Sequence, residues 1–138
     1  MIVWVAWAEI FSAISVIFPF EIPTSSFRPA LPVPDEIRDD WSRFGLETVL
    51  GRTWARTDQL GLRERSLITV AALTVLHRPE ELRIHIRGAL NNGLARAEVA
   101  EVMWHMAIYG GFPVAIEGMR AARQVFDELD AAEAGGTR

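Results

Sequence analysis

The chain contains no cysteine and no lysine. Without thiols, disulfides, thiolate nucleophiles, thiol peroxidase chemistry and Cys-ligated zinc are excluded together. All 14 basic residues are arginine, so no lysine side chain can form a Schiff base. There are three histidines, no H-E-x-x-H and no regular acidic ligand loop, so no dedicated metal site is expected. The arginines are scattered and the net charge is −4, which argues against a nucleic-acid partner. Strand-like alternation and internal repeats are also missing.

What is present is apolar and helical in pattern. The chain has 138 residues, half of them hydrophobic, enough for a compact domain and too apolar for a disordered segment. Residues 1–20 are strongly apolar and borderline in length for a membrane span. Glu9 in mid-stretch and the absence of basic flanks argue against one, and no positive n-region or small-residue cleavage site marks a signal peptide. Three readings stay open: a helix packed on a partner subunit, an atypical start and a membrane anchor. The expected location is the cytoplasm. Residues 19–34 hold Pro19, Pro23, Pro29, Pro32 and Pro34 and read as an extended connector. The expected organisation is therefore 1–34 as apolar segment plus connector, 35–130 as a helical domain, and 131–138 as a small, polar, fraying tail.

Within the domain, Asp35 to about Leu50 predicts a helix ending at Gly51, and Asp58 to Gly61 a turn. Leu62 to Leu76 predicts a helix apolar nearly all round from Leu67, which belongs in a core or an interface. Glu98 to Tyr109 is amphipathic through Val99, Val102, Met103 and Met106 and stops at Gly110-Gly111; both methionines read as core. Pro113 opens a last helix with the stripe Ala115, Met119, Ala122, Phe126 and Leu129. The fold class is all-α, built from helical hairpins. Exposed apolar faces on so small a domain predict a homo-oligomer.

The most informative segment is 80–93, EELRIHIRGALNNG, with Pro79 before it and Gly93 at its end. At about 100° per residue, Leu82, Ile86, Ala89 and Leu90 form an apolar stripe, and Glu81, His85, Gly88 and Asn92 a second stripe along its edge. Arg83, Arg87, Glu80 and Asn91 point away. A carboxylate and an imidazole one turn apart, beside a glycine, are the parts of a proton-transfer site on a rigid helix. The bland reading is a surface i,i+4 pair worth a few tenths of a kcal/mol.

The runs GRTWAR (51–56), LRERSLITVAAL (62–73), EELRIHIRGALNNG (80–93) and EVAEVMWHMAIYGGFP (98–113), in that order, resemble the carboxymuconolactone decarboxylase family over roughly residues 41–130. This family lies in the alkylhydroperoxidase-like superfamily of all-helical oligomers. The peroxidase branch carries C-x-x-C-x-x-x-H; aligning its histidine with His85 puts Arg78 and Glu81 in the two cysteine positions, so the resemblance points to the cysteine-free branch. Near Glu98 the usual Thr cap is replaced by Ala95-Arg96-Ala97, the loss of an acceptor worth about 1 kcal/mol.

The resemblance implies a trimer or hexamer, no cofactor, and decarboxylation of 4-carboxymuconolactone to 3-oxoadipate enol-lactone in the breakdown of aromatic acids. Such a lactone delocalises the electron pair left by carbon dioxide onto its own carbonyl, so no external electron sink is required. The protein must bind carboxylates, stabilise a dienolate oxygen and protonate a ring carbon. On this reading His85 is the general acid and Glu81 orients and charges it. Arg65 and Arg56 are candidates for substrate carboxylates, with Arg87 the weakest because it lies across its helix. Trp54 is a candidate pocket wall, and Tyr109 and His105, one turn apart, are candidate donors. Each has a structural alternative: Trp54 as core, Arg65 as an ion-pair partner, His105 and Tyr109 as packing or interface residues, and His77 as a solvated loop residue. Alternative functions are a family relative with another lactone or oxo-acid substrate, and a non-catalytic helical oligomer.

Overall fold

The structure, a computed structural model, describes residues 33–135. The apolar residues 1–20, and the three readings of them, lie outside the described residues. Among those described there are helices and turns and no strand, in keeping with the all-α expectation. No described helix is long and apolar enough to cross a membrane. The chain divides into two compact units, one ending at Gly61 and the other beginning at Leu62.

In the first unit a short 3₁₀ turn, Asp35–Ile37, leads into α1, Arg38–Gly45. The helix does not stop at Gly51. It widens into a π-helical segment, Leu46–Trp54, in which Ala55 N–H donates to the Leu50 carbonyl at 2.9 Å, five residues back. The Thr53 hydroxyl donates to the Thr48 carbonyl at 3.1 Å, also five back. This side-chain bond competes for a carbonyl of the ordinary ladder, a common accompaniment of a widened turn. Trp54 closes the segment and is buried, and Arg56 lies in the exposed turn that follows.

The second unit is four helices: α2 (Leu62–Val75), α3 (Pro79–Asn91), α4 (Arg96–Gly110) and α5 (Phe112–Gly135). Its core joins Val70 of α2, Leu82 and Ile86 of α3, Met103 of α4 and Val125 of α5, all at most 2% exposed. The α2–α3 turn is made at His77, which is exposed and adopts φ 55°, a left-handed conformation uncommon for a residue with a Cβ. Pro79 begins α3, where a missing N–H costs nothing, and Glu80 and Glu81 sit in its first turn, favoured by the helix dipole. The helix ends in a Schellman motif: Gly93 has φ 89°, Leu94 N–H donates to the Ala89 carbonyl at 3.0 Å and Gly93 N–H to that of Leu90 at 3.1 Å. Leu94, at 4% exposed, supplies the apolar contact of that motif.

The helix α4 starts two residues earlier than its pattern predicts, with Ala95 as N-cap. Ala95 has no side-chain acceptor, but Glu98 accepts from its N–H at 2.8 Å and also pairs with Arg63 of α2. That is half a capping box, and it takes over part of what a threonine would do. Helices α2 and α5 approach closely at Gly118, where a Cβ would lie 3.0 Å from Thr74 Cγ2 and 3.3 Å from Met103 Cγ. The buried stripe of α5 is Ala115, Gly118, Ala121, Ala122 and Val125, with Met119 turned outward. The helix continues to Gly135, through the alanine-rich stretch whose small residues suggested fraying; alanine favours a helix most.

Candidate active site

The second stripe of α3 is where the pattern predicts it. Ile86 and Ala89 are fully buried; along their edge Glu81 is exposed, His85 half-buried, Gly88 buried and Asn92 half-buried. This stripe borders α2, because the Asn92 amide donates to the Ser66 hydroxyl at 2.8 Å. Ser66 is 2% exposed in an otherwise apolar helix. Its burial is tolerable because the hydroxyl is hydrogen-bonded. Ser66 was not among the residues picked out by motif; the available signal was a lone serine within an apolar helical face, which needs a partner.

The Ser66–Asn92 bond fixes the register of the α2–α3 hairpin. His85 lies seven residues before Asn92 and is level with Leu73. Arg65, one residue before Ser66, is then roughly 12 Å from His85 along the helix axis at about 1.5 Å per residue. Arg65 is half-buried on α2.

Two influences act on His85. Burial pushes its pKa down, and the Glu81 carboxylate pushes it up by a smaller amount, leaving it below the ordinary 6.5. At neutral pH the ring is therefore mostly uncharged, and Glu81 moderates the effect of burial without holding a proton on the ring. The protonated form is scarce but a stronger acid than an exposed histidine.

The other candidates are distributed more widely. Trp54 and Arg56 belong to the first unit, Trp54 buried and Arg56 exposed. The His105 and Tyr109 rings meet at a tilt of 51°, their centres 5.2 Å apart, on the face of α4 opposite Val99 and Met103; Tyr109 is 71% exposed. They point away from the core that carries the α3 stripe, so within one chain they are not gathered with His85. Arg87 is turned to α5, where it and Arg83 (3.0 Å) share the Glu128 carboxylate. That triad ties α3 to α5 and gives Arg87 a structural role. Among the described residues, no group of His, Asp and Glu could hold a metal ion.

The chain is 35% identical over 95 residues to 4-carboxymuconolactone decarboxylase of Acinetobacter baylyi, covering 69% of this chain and 70% of that enzyme. It is 34% identical over 83 residues to nitrosuccinic acid decarboxylase npaB of Metarhizium robertsii, covering 60% of this chain and 57% of that protein. It is 35% identical over 88 residues to an uncharacterized 15.0 kDa protein of Paracoccus denitrificans, covering 62% and 64%. The model of the Carboxymuconolactone decarboxylase family matches residues 45–124, from the π-helical segment to the middle of α5. That match takes in more than half of the chain and the whole His85 helix, and with it the chain belongs to the carboxymuconolactone decarboxylase family.

Proposed function

We propose that the chain is a cofactor-independent decarboxylase acting on 4-carboxymuconolactone, giving 3-oxoadipate enol-lactone, in the cytoplasmic breakdown of aromatic acids. The observation that carries this reading is His85: half-buried on α3, with its pKa lowered by burial and Glu81 one turn away, inside the segment shared with the family. The 35% identity to a 4-carboxymuconolactone decarboxylase supports the choice of substrate.

In the reaction, the bond to the substrate carboxylate breaks and carbon dioxide leaves. The electron pair moves through the ring double bond onto the lactone carbonyl oxygen, so the substrate is the electron sink. It returns to the ring carbon next to that carbonyl, which takes a proton from the His85 imidazolium and leaves the double bond in the enol-lactone position, and neutral His85 regains its proton from solvent. Arg65 holds a substrate carboxylate. His85→Gln leaves the protonation step without its acid.

The relative named for nitrosuccinic acid favours one second reading. A nitro group, like a vinylogous lactone carbonyl, accepts the electron pair itself, so the same acid–base helix serves either substrate. The two are separated by incubating the purified full chain with each and following carbon dioxide release. The expected result is faster turnover of the lactone, with loss of its ultraviolet absorbance. Preference for nitrosuccinate would move the chain to the second reading, and no release from either by a chain of native helicity would overturn both.

A further inference from the structure

We propose that Glu128 is a positioning residue for the reaction: by holding Arg83 and Arg87 it sets the roll of α3 about its own axis, and so the place of the His85 ring. The inference rests on His85 as the acid of the proposed reaction. At about 100° per residue, the apolar stripe Leu82, Ile86, Ala89 and Leu90 has Arg83 and Arg87 about 100° to one side of it. Glu81, His85 and Asn92 lie about as far to the other side. Each edge is tied to a different helix. On the arginine edge the Glu128 carboxylate of α5 is divided, Oε1 accepting from Arg83 at 3.0 Å and Oε2 from Arg87. On the His85 edge, Asn92 donates to the Ser66 hydroxyl of α2 at 2.8 Å.

Apolar contact is non-directional and resists the roll of a helix only weakly. Hydrogen bonds are directional, and one on each edge opposes roll in either sense. Arg83 and Arg87 bracket residue 85, so the Glu128 tie is level with His85, and the Ser66–Asn92 bond lies about 10 Å further along the axis. A ring about 6 Å from the axis moves about 1.5 Å on a roll of about 15°. A misplacement of about 1 Å at a reacting group can cost about 100-fold in rate. The two arginines are one turn apart, where like charges repel, and Glu128 relieves that repulsion. Arg83 also reaches Glu80 at 3.4 Å, a bond within its own helix that joins it to no other. Its side chain is 27% exposed, and its Nε–H is buried with no acceptor among the described residues. Such a donor costs about 1–3 kcal/mol, so the arrangement fits placement better than stability. Glu128 follows residue 124, where the family match ends, and no motif points to it.

Two readouts on the full chain test the proposal. The first follows the His85 Cε1–H resonance without substrate at about pH 8, where the ring is neutral. The resonance is identified by its loss in His85→Gln. Glu128→Gln should move or broaden it, leave that of exposed His77 in place and keep the helical circular dichroism. Ser66→Ala, on the opposite edge, should also move it. In the second readout, Glu128→Gln should lower kcat about tenfold or more with KM unchanged, because Arg65 holds the substrate carboxylate from α2. Should Glu128→Gln not fold, Arg87→Gln, which leaves Arg83 on Glu128, carries the same readouts. A lower denaturation midpoint with an unmoved His85 resonance would make Glu128 a stabilising residue only and overturn the proposal, as would a moved resonance with unchanged kcat. A parent inactive on the lactone would overturn the proposed reaction instead, while the resonance still decides what places the ring.

Discussion

At His85 burial and a neighbouring carboxylate pull one imidazole in opposite directions, and burial wins. The consequence for stability has a definite sign. Unfolded, the ring titrates near 6.5; folded, it titrates lower. Above about pH 6.5 it is neutral in both states and adds no pH dependence. Below that, the unfolded chain takes the proton first, so stability falls until the folded pKa is reached and then levels off. The urea midpoint should therefore drop between pH 7 and 5, and His85→Gln should abolish that drop. Glu98 and Asp130, whose pKa values are lowered by their hydrogen bonds, lose their contributions as pH falls through the ordinary carboxylate range and below it, under the histidine window. For catalysis the acid form is needed, so kcat/KM should fall as pH rises through the folded pKa, below 6.5. Glu81→Gln removes the influence that raises that pKa, and the falling limb should move to lower pH, with activity at pH 7 several-fold below the parent. An unmoved limb would separate Glu81 from the proton on His85.

Among the elements, α3 was the most legible because its punctuation and period agree: Pro79 at the start, Gly93 in the left-handed cap, and a buried stripe of Leu82, Ile86 and Ala89 between them. The π-helical segment was not legible, since Gly51 reads as a stop and nothing in the composition marks hydrogen bonds reaching five residues back. Nor was the edge of the site contributed by α2. An all-round apolar pattern gives no direction; the Ser66–Asn92 bond and the burial of Val70 show which side of α2 meets α3. The stripe expected on α5 was displaced for a related reason. Glycine and alanine at 118, 121 and 122 let α5 lie close to its neighbours, and the larger Met119 turns outward. Gly118→Val tests that approach. A branched side chain would overlap the Thr74 methyl, which is fully enclosed, and should cost about 1–3 kcal/mol as an overpacking strain, read as a lower denaturation midpoint. Unchanged stability would mean that α2 and α5 are free to move apart.

For the molecule as a whole, a helical unit that exposes Trp104, Ile108, Tyr109 and Phe112 carries the candidate pair Glu81 and His85 on the best-defined of its helices. Two demands on the sequence explain what could be read from it. The pair had to lie at helical spacing, which periodicity reveals. The exposed aromatics at the C-terminal end of α4 recur at the same spacing as a buried stripe, and periodicity cannot tell the two apart. The chemistry at the first of these is the centre of the account: the imidazolium form of half-buried His85 passes a proton to a carbanion that the substrate itself delocalises. The most direct measurement is kcat/KM for 4-carboxymuconolactone with the full chain and its His85→Gln variant, both of native helicity. The account predicts a loss of about 10²–10⁴-fold, the usual contribution of a general acid. Turnover by the variant within a few-fold of the parent would contradict it.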